Sequence, residues 1–236
     1  MVGFADGDCE KEGGVVNVAY NADCMEVMRR YPNGYFDLAI VDPVYGDVRK
    51  GGYMNGSGGG LVKQKDYHAV IWQQDKTNAD YFAELFRVSK NQIIWGGNYF
   101  TEEIGRNSPC WIVWNKDHPE GVNYADCELA WTSFTCSAKL FTYRWNGFIQ
   151  QDMKNRELRI HPTQKPIALY RWIYRRFEIP KGSKILDTHL GSGTHRRAAY
   201  DYEMDFIGCE IDPIYFELQE RAFEEYTSQM RIEGMV

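Results

Sequence analysis

The stretch Lys184-Ile-Leu-Asp187-Thr-His-Leu-Gly191-Ser-Gly193-Thr194 decides the fold. Its first four residues read as a short apolar strand. The glycines then turn the chain tightly and let a ligand approach the backbone before a helix begins at Thr194. A second strand, Phe206-Ile-Gly-Cys-Glu210, ends in an acid 23 residues beyond Asp187. An acid at the end of the second strand of such a unit is placed to accept hydrogen bonds from ribose hydroxyls. A dinucleotide fingerprint wants a small residue at the third position of G-x-G-x-x-G, where this chain has Arg196, and no G-x-x-x-x-G-K-[ST] run occurs. Nicotinamide and P-loop chemistry are both disfavoured.

Outward from this unit, apolar runs alternate with helical patterns. Strands are expected at Val15–Tyr20, Phe36–Asp42, Gln92–Trp95, Trp111–Trp114, Glu128–Phe134, Lys184–Asp187 and Phe206–Glu210. Helices are expected at Asp23–Tyr31, Asn78–Val88, Ile167–Phe177, Thr194–Tyr202 and Pro213–Met230, with Pro166 suited to a helix start. The alternation predicts an α/β fold with a mostly parallel sheet, and consecutive apolar residues such as Leu38–Val41 predict strands covered on both faces. Gly51–Gly60 carries six glycines in ten residues. It reads as the centre of a mobile loop at about 47–66, either a lid or DNA contact or a plain connection.

The second chemical constellation is Phe36-Asp-Leu-Ala-Ile-Val-Asp42-Pro43-Val44-Tyr45. A buried strand here delivers a carboxylate, a rigid bend and an aromatic ring to its carboxyl end, the edge at which open α/β sheets bind ligands. An exocyclic amino group is a poor nucleophile because its lone pair is delocalised into the ring. A carboxylate and a carbonyl accepting its hydrogens would concentrate charge on nitrogen, and an aromatic ring could stack on an extruded base. Read alone, Asp42-Pro43 is equally a strand-ending turn.

The chain has 236 residues, 44% of them hydrophobic and 15% aromatic, enough for one sizeable core and one domain. Its apolar runs are far shorter than the ~20 residues of a membrane helix, and the acidic start has no signal-peptide pattern, so an intracellular, cytoplasmic protein is expected. The cysteines at 9, 24, 110, 127, 136 and 209 form no C-x-x-C pair, so no metal site and reduced thiols are expected. The net charge is −6, but Lys139–Arg176 holds nine Lys or Arg against two acids, whereas Ala198–Val236 holds ten acids against two arginines. A local polyanion-binding face is compatible with this asymmetry.

The motifs together resemble the amino-methylating DNA methyltransferases, whose signature is [DNS]-P-P-[YFW]. His161-Pro-Thr-Gln-Lys-Pro166 is similar to the segment before the cofactor strand in permuted members. Leu186–Thr194 is similar to their glycine-rich loop, and Gly208-Cys-Glu-Ile-Asp-Pro-Ile-Tyr215 to their ribose-binding region. Catalytic motif first and cofactor motif later is the order of the β group. The resemblance, which begins near Asn21-Ala-Asp23-Cys24, implies a circularly permuted Rossmann-like sheet starting with the family's third strand and carrying an antiparallel edge strand.

It further implies S-adenosylmethionine as cofactor and double-stranded DNA as substrate, with no metal. Asp42 and the Pro43 carbonyl would accept from the target amino group, and Tyr45 would stack on the base. Leu190, Gly191, Gly193 and Thr194 would line the cofactor's methionine end with Asp187 nearby, and Glu210 and Ile211 would lie at the ribose. Asp23 and Cys24 would lie near the adenine, while Thr163 and Lys165 would close the pocket. Asp42 matches the aspartate form of the signature, which favours adenine N6 over cytosine N4. A restriction-modification or phage-type methylase of a bacterial or phage-infected cell is the implied setting.

One position departs from the signature. Val44 stands where the family has its second proline, which restores an N–H and frees a φ angle. A working or weakened enzyme is expected, with a catalytically silent DNA-binding protein as the competing reading. The specificity region, about 133–160, is short, so recognition is modest or completed by a second subunit in a homodimer. Lys154, Arg156, Arg159, Arg171, Arg175 and Arg176 are candidates for phosphate contacts, the last three equally as cations that complement the dipole at a helix C-terminus. His161, His189 and His195 receive no acid–base role.

Overall fold

The computed structural model describes residues 16–46, 76–118, 125–146 and 149–233, without the side chains of 230–233. The glycine-rich segment 47–66 lies outside the described residues. An eight-stranded sheet runs in the order β1 (Asn17–Asn21), β10 (Asp205–Glu210), β9 (Lys184–Asp187), β2 (Phe36–Val41), β3 (Ser89–Trp95), β5 (Cys127–Thr132), β4 (Trp111–Asn115) and β6 (Lys139–Thr142). All strands are parallel except β5. The expected reversed strand is therefore near the edge rather than on it, with β4 and β6 outside it. Every expected strand is present, and the chain enters the sheet at β1 before the glycine-loop strand β9 is made, the expected permutation.

The consecutive apolar residues of the strands divide between two cores, because successive side chains leave opposite faces. Leu38, Ile40, Ile93, Trp95, Ile185 and Phe206 pack with α4 (Ile167–Arg176) and α5 (Thr194–Asp201). Ala39, Val41, Ile94, Leu186 and Ile207 pack with α1 (Cys24–Met28) and α2 (Ala79–Val88). Asn78 caps α2 by accepting from the Tyr81 N–H at 3.2 Å, and Tyr81, Phe82, Leu85 and Val88 form its buried stripe. Pro166 precedes α4, where a missing N–H costs nothing.

Three elements carry no clear sequence signal: the short α3 (Thr101–Ile104), the edge strand β6, and the two-residue pair β7 (Trp145–Asn146) and β8 (Ile149–Gln150). The last helix, α6 (Pro213–Glu233), follows β10. Among the described residues no helix is long and apolar enough to cross a membrane, and no group of three metal-ligating side chains occurs. The five described cysteines are free.

Candidate active site

Asp42 follows β2, the Thr188–Gly193 loop follows β9 and Glu210 ends β10. These three strands are neighbours and parallel, so all three features emerge at one carboxyl edge.

Asp42 is engaged at both oxygens. Oδ2 meets the Lys165 ammonium, and Oδ1 accepts from the Tyr45 hydroxyl. Lys165 arrives from the segment before α4 and is only 5% exposed. A second carboxylate, Glu128 Oε2, lies 3.3 Å from the same ammonium, and Glu128 Oε1 lies 2.5 Å from the Lys116 ammonium. Charges thus alternate along Asp42, Lys165, Glu128 and Lys116 over the rings of Trp95 and Trp114, 5.4 and 5.2 Å from the two ammonium groups. Burial pushes the Glu128 carboxyl up, but Lys165 and Lys116 outweigh it and hold it at about 2. Burial alone would lower the Lys165 ammonium, yet Asp42 and Glu128 raise it above its ordinary range. Lys165, expected as a wall of the cofactor pocket, is the direct partner of the Asp42 carboxylate.

Tyr45 lies against the backbone of Gly96, which has φ 66°. A Cβ at Gly96 would overlap Tyr45 Cε1, so only glycine admits the ring there. Tyr99 and Phe100 complete the aromatic wall, with centroids 5.1 and 5.8 Å from that of Tyr45. The Val44 carbonyl accepts from the Thr77 N–H at 3.0 Å and the Thr77 hydroxyl at 3.1 Å, tying the turn after β2 to the start of α2.

In the other half of the site, Gly191 and Gly193 adopt φ 52° and 67°. The Gly191 N–H donates to Glu210 Oε2 at 2.8 Å and the Asp212 N–H to Oε1 at 2.9 Å. Burial dominates these bonds and pushes the Glu210 carboxyl to about 7. Asp187 accepts from the His189 N–H at 3.0 Å and pairs with His195 Nδ1 at 2.8 Å. His195 in turn stacks on Tyr170 at 4.4 Å and bonds the Tyr174 hydroxyl at 2.9 Å, so it clamps Asp187 to α4. The Tyr81 hydroxyl lies 2.6 Å from Thr188 Oγ1, which lies 2.9 Å from His189 Nδ1. Leu190 and Thr194 are buried beside the loop.

Asp23 caps α1 by accepting from the Met25 N–H at 2.7 Å, and burial followed by the charge of Asp23 pushes the Cys24 thiol up to about 12. Ile211 is exposed at the rim. Thr163 bonds His161 Nδ1 at 3.1 Å, and the His161 ring sits over Gly191, where a Cβ would lie 3.4 Å from it. Carboxylates at Asp187 and Glu210, hydroxyls at Thr188 and Thr194, and a glycine turn open to close approach suit a ligand bearing an ammonium and vicinal hydroxyls.

The candidate phosphate contacts divide. Lys154 and Arg156 are exposed on the segment between β8 and α4, which reaches the carboxyl edge through Lys165. Arg159 donates to the Pro162 carbonyl at 3.2 Å in the same segment. Arg171 does not face this edge's pocket: it is bound to Asp201 at 2.5 Å and to the Tyr226 hydroxyl at 2.7 Å. Arg175 and Arg176 are exposed in the last turn of α4, which ends where β9 begins. Sheet polarity sets them at the edge opposite Asp42, which corrects their grouping with Lys154 and Arg156.

Gly96, Tyr81, Thr188, Glu128 and Lys116 join the site without having stood out in the sequence. The pair Gly96-Gly97 after a strand is the available signal for the first.

Comparison with known proteins matches the DNA methylase family model N6_N4_Mtase over residues 49–221. The type II methyltransferase M.HinfI of Haemophilus influenzae is 24% identical, over 89% of this chain and 69% of the relative. M2.MboI of Moraxella bovis is 22% identical, over 91% and 90%. Among solved structures, the M1.HpyAVI–SAM complex superposes with a TM-score of 0.54 at 22% identity, covering 86% of this chain and 98% of that one. The cytosine-N4-specific PvuII DNA methyltransferase gives 0.56 at 15%, covering 92% and 94%. The chain belongs to the N6_N4_Mtase family of DNA methylases, amino-DNA methyltransferases that use S-adenosylmethionine.

Proposed function

We propose that this protein methylates the N6 amino group of adenine in double-stranded DNA. The observation that carries the reading is the Asp42 carboxylate, fixed by Lys165 at the same sheet edge as the glycine loop. Asp42 accepts one hydrogen of the extruded amino group and the Pro43 carbonyl the other, which localises the nitrogen lone pair. Tyr45, set on Gly96, offers its ring to the base. The target amine then takes the place that the Tyr45 hydroxyl holds on Oδ1.

The described residues fit the family's cofactor. Asp187 is suited to its ammonium, Glu210 and the neighbouring Ile211 to its ribose, and Leu190, Gly191, Gly193 and Thr194 to its methionine end. Asp23 and Cys24 flank the adenine, while Thr163 closes the rim through His161. Bound S-adenosylmethionine supplies an electrophilic methyl on sulfonium. The protein contributes alignment of nitrogen with that methyl and exclusion of water, and positioning of this kind supplies much of a transfer rate. Asp42 in the aspartate form of the signature supports adenine. Lys154, Arg156 and Arg159 are the proposed phosphate contacts.

The test is mass spectrometry of nucleosides from unmethylated duplex DNA incubated with the protein and S-adenosylmethionine. N6-methyladenine is expected. N4-methylcytosine would keep the mechanism and overturn the base, while no methylated base, with cofactor bound, would favour a silent DNA-binding protein.

A further inference from the structure

The strand order forces a crossing at the sheet edge opposite Asp42. β4 lies between β5 and β6, so the connection from Thr132, the end of β5, to Lys139, the start of β6, passes the amino end of β4. Cys136 lies on that connection and Cys110 immediately precedes β4. The two residues are 26 apart in the chain, and their sulfurs are 3.1 Å apart. Both are free thiols.

Their surroundings differ. Cys110 is fully buried and its backbone is pinned: its N–H donates to Ser108 Oγ at 3.0 Å, and its carbonyl accepts from the Thr132 hydroxyl at 2.6 Å. Burial pushes its thiol up, so solvent does not reach it and it is poorly ionised. Cys136 is partly exposed and lines a cavity of about 360 Å³ with Phe134, Lys139, Arg176 and Glu178. The two cations come from the start of β6 and the last turn of α4, and a thiol beside cations is the kind that reacts with oxidants. One reachable thiol in contact with a second, sheltered thiol has the layout of an attacking and a resolving cysteine.

We propose that Cys136 is a site of oxidation by peroxides and that Cys110 resolves it as an internal disulfide. The Cys136 sulfur attacks one oxygen of hydrogen peroxide, the O–O bond breaks, and sulfenic acid and one water result. The Cys110 sulfur then attacks the Cys136 sulfur and the S–O bond breaks. The hydroxyl leaves with the Cys110 proton as a second water. Two thiols lose two electrons in all, and peroxide gains them. The sulfurs need to approach by only about 1 Å to form the bond. The crosslink closes a loop that contains all of β4 and β5, which restricts the unfolded chain and stabilises the folded one.

The test is peptide mapping of the natural protein after treatment with hydrogen peroxide and alkylation of the remaining thiols, together with thermal unfolding of the same samples. A linked peptide joining Cys110 to Cys136 is expected, with the intact mass lower by two hydrogens and restored by dithiothreitol. The Tm of the oxidised protein should rise by about 5–10 °C. Cys110→Ser should instead hold a sulfenic acid at Cys136 that dimedone traps. Alkylation of both residues after peroxide treatment would overturn the proposal, as would a linked peptide that pairs either with another cysteine. A lower Tm on oxidation would also overturn it, since the bond would then not fit the fold. None of these measurements reads methyl transfer, so the outcome is independent of the functional reading above.

Discussion

Lys165 and Asp42, 123 residues apart in the chain, meet as an ion pair at the carboxyl edge of the sheet. Neither residue is informative alone. Together with Glu128 and Lys116 they form a row of alternating charges in which each ammonium lies between carboxylates or against one, so removing a member leaves its neighbours unbalanced in a partly dry setting.

Lys165→Met tests that row. The substitution keeps the length of the side chain and leaves Asp42 and Glu128 as facing carboxylates without their shared counter-ion. Denaturant unfolding should show a loss of about 3 kcal/mol, and methyl transfer should fall well over tenfold because Asp42 is no longer held. Glu128→Gln should be milder in both respects, since Lys165 keeps Asp42. Equal stability of Lys165→Met and the natural protein would show that the pair is solvated and contributes nothing.

Glu210 makes a pH-dependent prediction. Its folded carboxyl sits at about 7 against an ordinary 4.5, so the protonated form is favoured on folding. That contribution to stability is complete below about 4.5 and is lost as pH rises through about 7. Ribose hydroxyls donate best to the ionised carboxylate, so with Glu210 at the proposed ribose position cofactor binding ionises it. Titration calorimetry should show cofactor affinity falling roughly tenfold for each pH unit below about 7. Glu210→Gln should bind weakly at pH 8 and lose this dependence. An affinity independent of pH in the natural protein would remove Glu210 from the ribose.

The sheet and both chemical motifs are legible in the sequence because each is local. Strand periodicity, the Gly191 and Gly193 turn and the acid at the next strand end all lie within short windows. The ion-pair partner of Asp42 is legible only as a member of the His161–Pro166 segment, because the pairing is made by the sheet bringing β2 and the start of α4 together. Glu128 carries no signal at all: it sits in a strand whose antiparallel position between β3 and β4 aims it at Lys165. The arginines of α4 show the converse limit. Their clustering in sequence suggests one surface, but a helix running back along a parallel sheet carries its last turn to the opposite edge.

Val44→Pro addresses the departure from the family signature. The catalytic turn is tied to α2 through the Val44 carbonyl, which accepts twice from Thr77 and which proline retains. Proline fixes φ and restricts Pro43 before it to extended conformations, and Pro43 is the residue whose carbonyl is proposed to receive the target amine. Single-turnover transfer by Val44→Pro should equal or exceed that of the natural protein. A large loss would mean that the pocket is shaped around valine and its N–H.

Charge reversal on the two edges of the sheet tests where DNA lies. A base extruded toward Asp42 requires the duplex to cross the edge that carries Lys154 and Arg156, and the last turn of α4 faces away from it. Lys154→Glu with Arg156→Glu should weaken DNA binding at about 50 mM salt by an order of magnitude or more, and should flatten the dependence of log K on log salt by about 0.9 for each phosphate that is no longer neutralised. Arg175→Glu with Arg176→Glu should leave both the affinity and the slope within about twofold. The slope separates the two edges better than affinity does, because a distant charge alters the overall field but releases no condensed counterion. If the α4 pair changed the slope instead, the duplex would have to reach the amino edge, and base extrusion into the Asp42 pocket would need a second protein copy to present it.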